Sequence, residues 1–299
     1  MTWLGCEDSS AVLQGGAYDG TSNTVANTVS SPKTRPESAS FHRELAIARE
    51  VQRASLPAQT PKIPGLNSAT FYKPAYIVGG DYYDFLCLQN GEWGIAVGDV
   101  AGKGISAALV MANLQGFLRA QTFQHAPDLP TLMSNLNRLV RQSSPQHFFA
   151  SLFYGEYDPQ SRRLQYVNAG HNAPIGIRRA RKNDWLFSLK AECPPVGSLE
   201  DSLFVSATFQ LEIGDTLVFY TDGVTESENS EGKAFGHKRL QRVLYNRRTQ
   251  DPHRILEVIL NELEAHSAGL LQTDDITLVI IQVEDAAGSS PATLADFSA

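Results

Sequence analysis

Ile95-Ala96-Val97-Gly98-Asp99-Val100-Ala101-Gly102-Lys103-Gly104 runs from an apolar strand, through an acidic glycine-rich turn, to the start of a helix. Aspartate is a poor strand residue, so an aspartate on the edge of an apolar strand needs a reason. The three glycines let the backbone turn tightly and come close to a ligand. A phosphate-binding loop does not fit. That motif needs four residues between its first glycine and Gly-Lys, then Ser or Thr. Here three intervene and Gly104 follows Lys103. Taken alone, the run is equally a glycine turn in which Asp99 caps the helix.

Three more acidic motifs end or begin apolar runs elsewhere: Gly79-Gly80-Asp81-Tyr82-Tyr83-Asp84, Tyr220-Thr221-Asp222-Gly223 and Thr273-Asp274-Asp275-Ile276-Thr277. Asp-Gly after a strand is common turn chemistry. The adjacent pair Asp274-Asp275 is sharper, because neighbouring carboxylates repel unless a cation or donor stands beside them. A hard divalent cation would give all four motifs one explanation. An oxygen-only set with no Cys or His cluster favours Mg²⁺ or Mn²⁺ over zinc.

Composition narrows the class. The 299 residues carry a net charge of -7, which argues against a nucleic-acid partner, since such proteins normally present a basic face. Cys6, Cys87 and Cys193 are scattered and odd in number, as in a reducing compartment. The start lacks a basic, then apolar, leader, and no run approaches the length of a membrane span. The expectation is a soluble, cytoplasmic protein with no membrane contact.

Residues 1–40 are rich in Ser, Thr, Asn and Gly and read as a flexible polar tail. Phe41 to Leu56 reads as a helix stopped by Pro57, so residues 41–57 are expected to be a linker or regulatory helix. It either covers the core or couples to an upstream regulator or a second copy. Residues 58–284 form the main domain and 285–299 a second flexible tail. Within the domain the predicted strands are Thr70–Tyr76, Tyr82–Leu88, Trp93–Val97, Ala150–Tyr157, Arg163–Val167, Ala173–Arg178, Trp185–Leu189, Phe204–Phe209, Thr216–Tyr220 and Ile276–Val283. Helices are expected at Ile105–Phe123, Leu129–Gln142, Gly236–Asn246 and Pro252–Ala268. Strands in runs with helices in two blocks imply an α+β fold with antiparallel sheets.

The ordered set Gly79–Asp84, Gly98–Gly104, Asn168-Ala169-Gly170-His171-Asn172, Tyr220-Thr221-Asp222-Gly223-Val224-Thr225-Glu226 and Asp274–Thr277 resembles a known family. It is similar to the bacterial SpoIIE/RsbU-like branch of the metal-dependent (PPM-type, protein phosphatase 2C-like) serine/threonine phosphatases. The likeness runs from about Leu45 to Val283 and includes Phe148-Phe149-Ala150 and the stretch from Glu231-Gly232 to Phe235-Gly236. It implies two antiparallel sheets packed face to face between helices, a four-layer α-β-β-α sandwich with a metal site at one edge. It implies two Mn²⁺ or Mg²⁺ ions and a phosphoserine or phosphothreonine protein as substrate, such as a small anti-sigma-antagonist-type protein in a partner-switching pathway. Asp99 would bridge the metals with help from the Val100 carbonyl. Asp222 and Asp274 would complete the second metal, Asp81 would serve the first, and Asp84 and Asp275 would support the ligands from behind. Two such ions about 4 Å apart can activate a bridging water for in-line attack on phosphorus.

The pattern departs from the family's eukaryotic members in one place. Where those carry Asp-Gly-His, this chain has Asp99-Val100-Ala101, so a candidate general acid is missing. His171 is a substitute by residue type, although a structural histidine in a turn is the commoner finding. Lys103 is weighed as a phosphate contact against a solvated loop lysine. Arg178-Arg179-Ala180-Arg181-Lys182 is read as a solvated basic turn, with docking of an acidic partner as the alternative. Two other functions stay open: a non-catalytic interaction module that keeps the fold, and a metal-dependent phosphodiesterase.

Overall fold

A computed structural model describes residues 36–123, 127–178, 185–190 and 193–285. The chain divides after Ser40, and the unit that begins at Phe41 holds both sheets. The two expected tails and Cys6 lie outside the described residues, apart from the first residues of the helix Pro36–Ser55 (α1) and the chain up to Asp285.

Two five-stranded antiparallel sheets form the centre. One contains Leu66–Lys73 (β1), Ile276–Val283 (β10), Thr216–Tyr220 (β9), Ile175–Ile177 (β6) and Leu186–Ser188 (β7), in that spatial order. The other runs Tyr82–Cys87 (β2), Trp93–Val100 (β3), Ala150–Asp158 (β4), Arg163–Ala169 (β5) and Ala207–Gln210 (β8). Side-chain alternation explains the packing. In β9, Leu217 and Phe219 join the core shared with the other sheet, while Val218 and Tyr220 join a second core. In β10, Val279, Ile281 and Val283 face inward in the same way, whereas Leu278 and Ile280 face the second core.

Helices Gly104–Phe123 (α2) and Leu129–Ser143 (α3) cover the β2–β3–β4–β5–β8 sheet. Helices His237–Arg247 (α5) and Pro252–Ser267 (α6) cover the other. Asp128 and Asp251 cap α3 and α6 by accepting from Thr131 N and Arg254 N, with Pro130 and Pro252 in the first turns. The result is the α-β-β-α sandwich the resemblance implies. No described helix is long and apolar enough to cross a membrane.

Some boundaries differ from expectation, for physical reasons. β1 begins at Leu66 and stops at Lys73, because Pro74 cannot continue the ladder. The helix expected from Phe41 starts at Pro36, a residue well suited to a first turn. A short helix, Asp222–Thr225 (α4), follows β9 where the sequence suggested only a turn. Arg178 is not a solvated turn residue: its guanidinium donates to buried Asp215 at 2.8 Å and pairs with Glu212 at 3.1 Å. Residues 179–182 of that basic run lie outside the described residues.

Candidate metal centre

Two sheets deliver carboxylates to one edge. Asp99 is the second-last residue of β3, and Asp81 immediately precedes β2. The β2–β3 register pairs Tyr82 with Gly98, and one further step sets Asp81 opposite Asp99. On its other side Asp99 pairs with Ser151 of β4. The second sheet supplies Asp222, which opens α4 just after β9, and Asp274-Asp275, which lead into β10. β9 and β10 are neighbours, with Leu278 opposite Tyr220, so both acidic ends emerge side by side.

Asp81 and Asp99 lie close enough for the charge of Asp99 to act on the Asp81 carboxyl. Burial, then the Asp222, Asp274 and Asp275 charges, pushes the Asp99 carboxyl up to about 8. Burial and the Asp99 charge likewise hold Asp81 well above the usual carboxylate range. Asp222 is raised by burial and by Asp274. The Asp81 carboxylate is anchored across the sandwich: its Oδ2 accepts from the Thr221 hydroxyl at 2.7 Å and the Thr277 hydroxyl at 2.6 Å. Thr221 stands at the N-cap position of α4, yet its hydroxyl makes no cap bond there.

Asp275 braces the chain next to Asp81 from behind. Its Oδ1 accepts from Ala75 N at 2.7 Å, and its Oδ2 accepts from Gly80 N at 2.6 Å and Asp81 N at 3.4 Å. That fixes the loop carrying Asp81. Glycine is required at two contacts: a Cβ on Gly79 would collide with the Asp275 carboxylate, and one on Gly223 with the Asp275 carbonyl. Asp84, expected to play the same part, does not. It pairs with Arg119 Nε at 2.7 Å and accepts from Tyr82 OH at 2.9 Å. Asp81 and Asp84 are three apart, and an odd spacing along an extended strand puts side chains on opposite faces.

Lys103 is exposed yet engaged. Its Nζ lies 2.8 Å from Asp274 Oδ2 and donates to the Thr273 carbonyl at 2.7 Å. Among the described residues no three acidic, histidine or cysteine side chains already close around one point. Lys103 holds Asp274 while the two threonines hold Asp81, so the carboxylates are gathered without forming a cage. The donor set still fits a hard cation. Buried carboxylates whose charges act on one another in this way need positive charge between them. The Val100 carbonyl turns toward Gly80, where a Cβ would stand only 3.0 Å from it.

A cleft of about 330 Å³ opens over this edge, lined among others by Asp99, Lys103, Ser151, His171, Asp222 and Asp274. His171 sits in a turn after β5, with its amide donating to Asn168 Oδ1 at 2.9 Å and its Nδ1 2.8 Å from Ser151 Oγ. Sequence reasoning missed Ser151, Thr221 and Thr277. The last two were visible as hydroxyls inside otherwise apolar strand ends. Ser151 carried no local signal, because its importance comes from the neighbouring strand.

Residues 89–284 match the family described as Stage II sporulation protein E (SpoIIE). Protein IcfG of Synechocystis sp. is 28% identical over 268 residues, covering 80% of this chain and 41% of that protein. The Bacillus subtilis protein named phosphoserine phosphatase RsbU is 29% identical over 241 residues, covering 80% of this chain and 70% of that one. This chain thus spans less than half the length of IcfG. Among solved structures, the SiaA-PP2C domain of Pseudomonas aeruginosa superposes with a TM-score of 0.70 at 21% identity, over 84% of this chain and 100% of that domain. That likeness establishes the fold.

Proposed function

Since the chain belongs to the SpoIIE family, we propose that it is a metal-dependent protein phosphatase that hydrolyses phosphoserine or phosphothreonine. The observation that carries this reading is the convergence of Asp99 with Asp222 and Asp274, from opposite sheets, on one cleft, with buried Asp81 next to Asp99 across the strand register. When bound, Mn²⁺ or Mg²⁺ would supply Lewis-acid activation of water and charge neutralisation at the phosphoryl oxygens. Asp81, Asp99, Asp222, Asp274 and the Val100 carbonyl are the groups that would hold two such ions.

The remaining residues position that set. Thr221 and Thr277 orient the Asp81 carboxylate, and Asp275 pins the loop behind it. Lys103 balances Asp274 and would give way to, or share it with, a bound cation. No side-chain nucleophile is needed for in-line hydrolysis by water.

The substrate is proposed to be a small phosphorylated anti-sigma-antagonist-type protein in the cytoplasm. The name of RsbU as a phosphoserine phosphatase supports the phosphoserine part. The helix over 41–57 is the proposed seat of an upstream regulator or a second copy. Support comes from exposed Phe41, Ile47 and Val51 and from Gln52, whose amide both donates to Gly79 O at 2.7 Å and accepts from Gly79 N at 3.0 Å. Gln52 therefore grips the residue next to Gly80-Asp81.

The test is phosphate release from a phosphoserine protein and from an aryl phosphate with Mn²⁺, repeated after EDTA and in a variant lacking residues 1–56. Activity should vanish with EDTA, return with Mn²⁺ and change on removal of the helix. Full activity in EDTA would sink the metal mechanism. Cleavage of a bis-aryl diester in place of the monoester would instead favour a phosphodiesterase.

A further inference from the structure

One buried polar atom in the cleft wall has no role in the site as described. His171 is 3% exposed, and its Nε2 is buried with no hydrogen-bond partner among the described residues. Leaving such a group unsatisfied costs about 1–3 kcal/mol, so it calls for a ligand. The ring is fixed from two directions. The Asn168 carboxamide oxygen takes the His171 amide, and the Ser151 hydroxyl faces Nδ1. Gly170, at a φ of 72°, makes the turn that only glycine adopts readily, and a Cβ there would strike the Pro195 ring. Ser151 in turn is the cross-strand partner of Asp99, so the imidazole stands one strand beyond the centre of the acidic cluster.

Chemistry selects what Nε2 would meet. Burial lowers the imidazole to about 4, so the ring is neutral at physiological pH. A Ser151 hydroxyl that donates to Nδ1 leaves the ring proton on Nε2, as a neutral donor. Lining the same cleft as His171 are Asp99, Asp222 and Asp274, whose oxygens are acceptors, and Lys103, already committed to Asp274 and Thr273. A phosphoryl group entering this cleft meets carboxylates that repel it and few donors. We propose that His171 is a further catalytic residue of this site, its Nε2–H donating to an oxygen of the phosphoryl group while Ser151 sets the tautomer. This rests on the phosphatase reading above. It also gives the chain a neutral donor, in place of the acid that Val100-Ala101 cannot supply. No proton is transferred to the leaving group by this residue; it stabilises charge that grows on the phosphoryl oxygens.

The experiment compares His171→Asn, which can keep the Ser151 contact and loses Nε2, with His171→Gln, whose amide nitrogen can reach the Nε2 position. With Mn²⁺ and two aryl phosphates of different leaving-group acidity, His171→Asn should lose about 10²-fold in kcat/KM on both esters. His171→Gln should recover at least part of that loss, with thermal midpoints close to wild type in both. In Mg²⁺-loaded protein with ¹⁵N-labelled histidine, the His171 ring should show the Nε2–H tautomer. Its Nε2 signal should move when inorganic phosphate is added, and Ser151→Ala should disturb the tautomer. Activity of His171→Asn within twofold of wild type, or an Nε2 signal indifferent to phosphate, would overturn the proposal while leaving the phosphatase reading intact. A wild-type protein inactive on every monoester would sink that reading instead, and the phosphate titration would still judge His171.

Discussion

Asp99→Asn is expected to lower Mn²⁺-dependent kcat/KM by about 10³-fold or more, since one amide oxygen cannot serve two cations as a carboxylate does. The same change should stabilise the metal-free protein. Asp99 is largely buried and within the fields of Asp222, Asp274 and Asp275, and its carboxyl is raised from 3.8 to about 8. A carboxyl that binds its proton more tightly in the folded state than in the unfolded chain gives stability below the unfolded value. That stability is lost as pH rises through the folded one. The metal-free wild type should therefore melt at falling temperatures between about pH 4 and about pH 8. Asp99→Asn should flatten much of that slope and melt several degrees higher at pH 8. Thermal melts in EDTA across that range, alongside kinetics, read both effects. A variant with full activity, or a pH profile unchanged by the substitution, would contradict this placing of Asp99.

Asp275→Asn should act mainly on stability and reach activity through Asp81. The carboxylate accepts three backbone N–H groups, two of them on Oδ2. An asparagine has one acceptor oxygen, so its amide nitrogen must face an N–H donor. The packing of Gly79 and Gly223 against Asp275 leaves no room to turn away. Stranding such buried donors costs about 2–4 kcal/mol, or roughly 5–10 °C in a domain of this size. Release of the loop carrying Asp81 should also weaken Mn²⁺ binding. Melting and Mn²⁺ titration of the purified variant decide the matter, and wild-type values in both would show that Asp275 does not hold the ligands.

Much of the fold was readable because its strands are short apolar runs with clear turn chemistry between them. All ten fall where the runs lie, and the four helices after α1 that exceed one turn match their apolar spacing. What could not be read is pairing across long distances. β1 and β10 are neighbours with Leu66 opposite Val283, and nothing local to either strand says so. That non-local pairing brings the Asp81 loop and Asp275 together. The acidic motifs pointed to Asp81, Asp99, Asp222, Asp274 and Asp275. They misplaced Asp84 because a spacing of three looked like one motif, whereas a strand turns every second residue away. Thr221 and Thr277 were legible only as hydroxyls and Ser151 not at all, since their partners come from another sheet or another strand.

Anomalous diffraction from a crystal soaked in Mn²⁺ tests the central claim most directly. Two manganese peaks should appear at the cleft edge with Asp99 as their common ligand, and Asp81, Asp222 and Asp274 drawn in around them. Lys103 should then have released or shared Asp274. Absence of manganese beside Asp99 at millimolar Mn²⁺, with the fold intact, would contradict it.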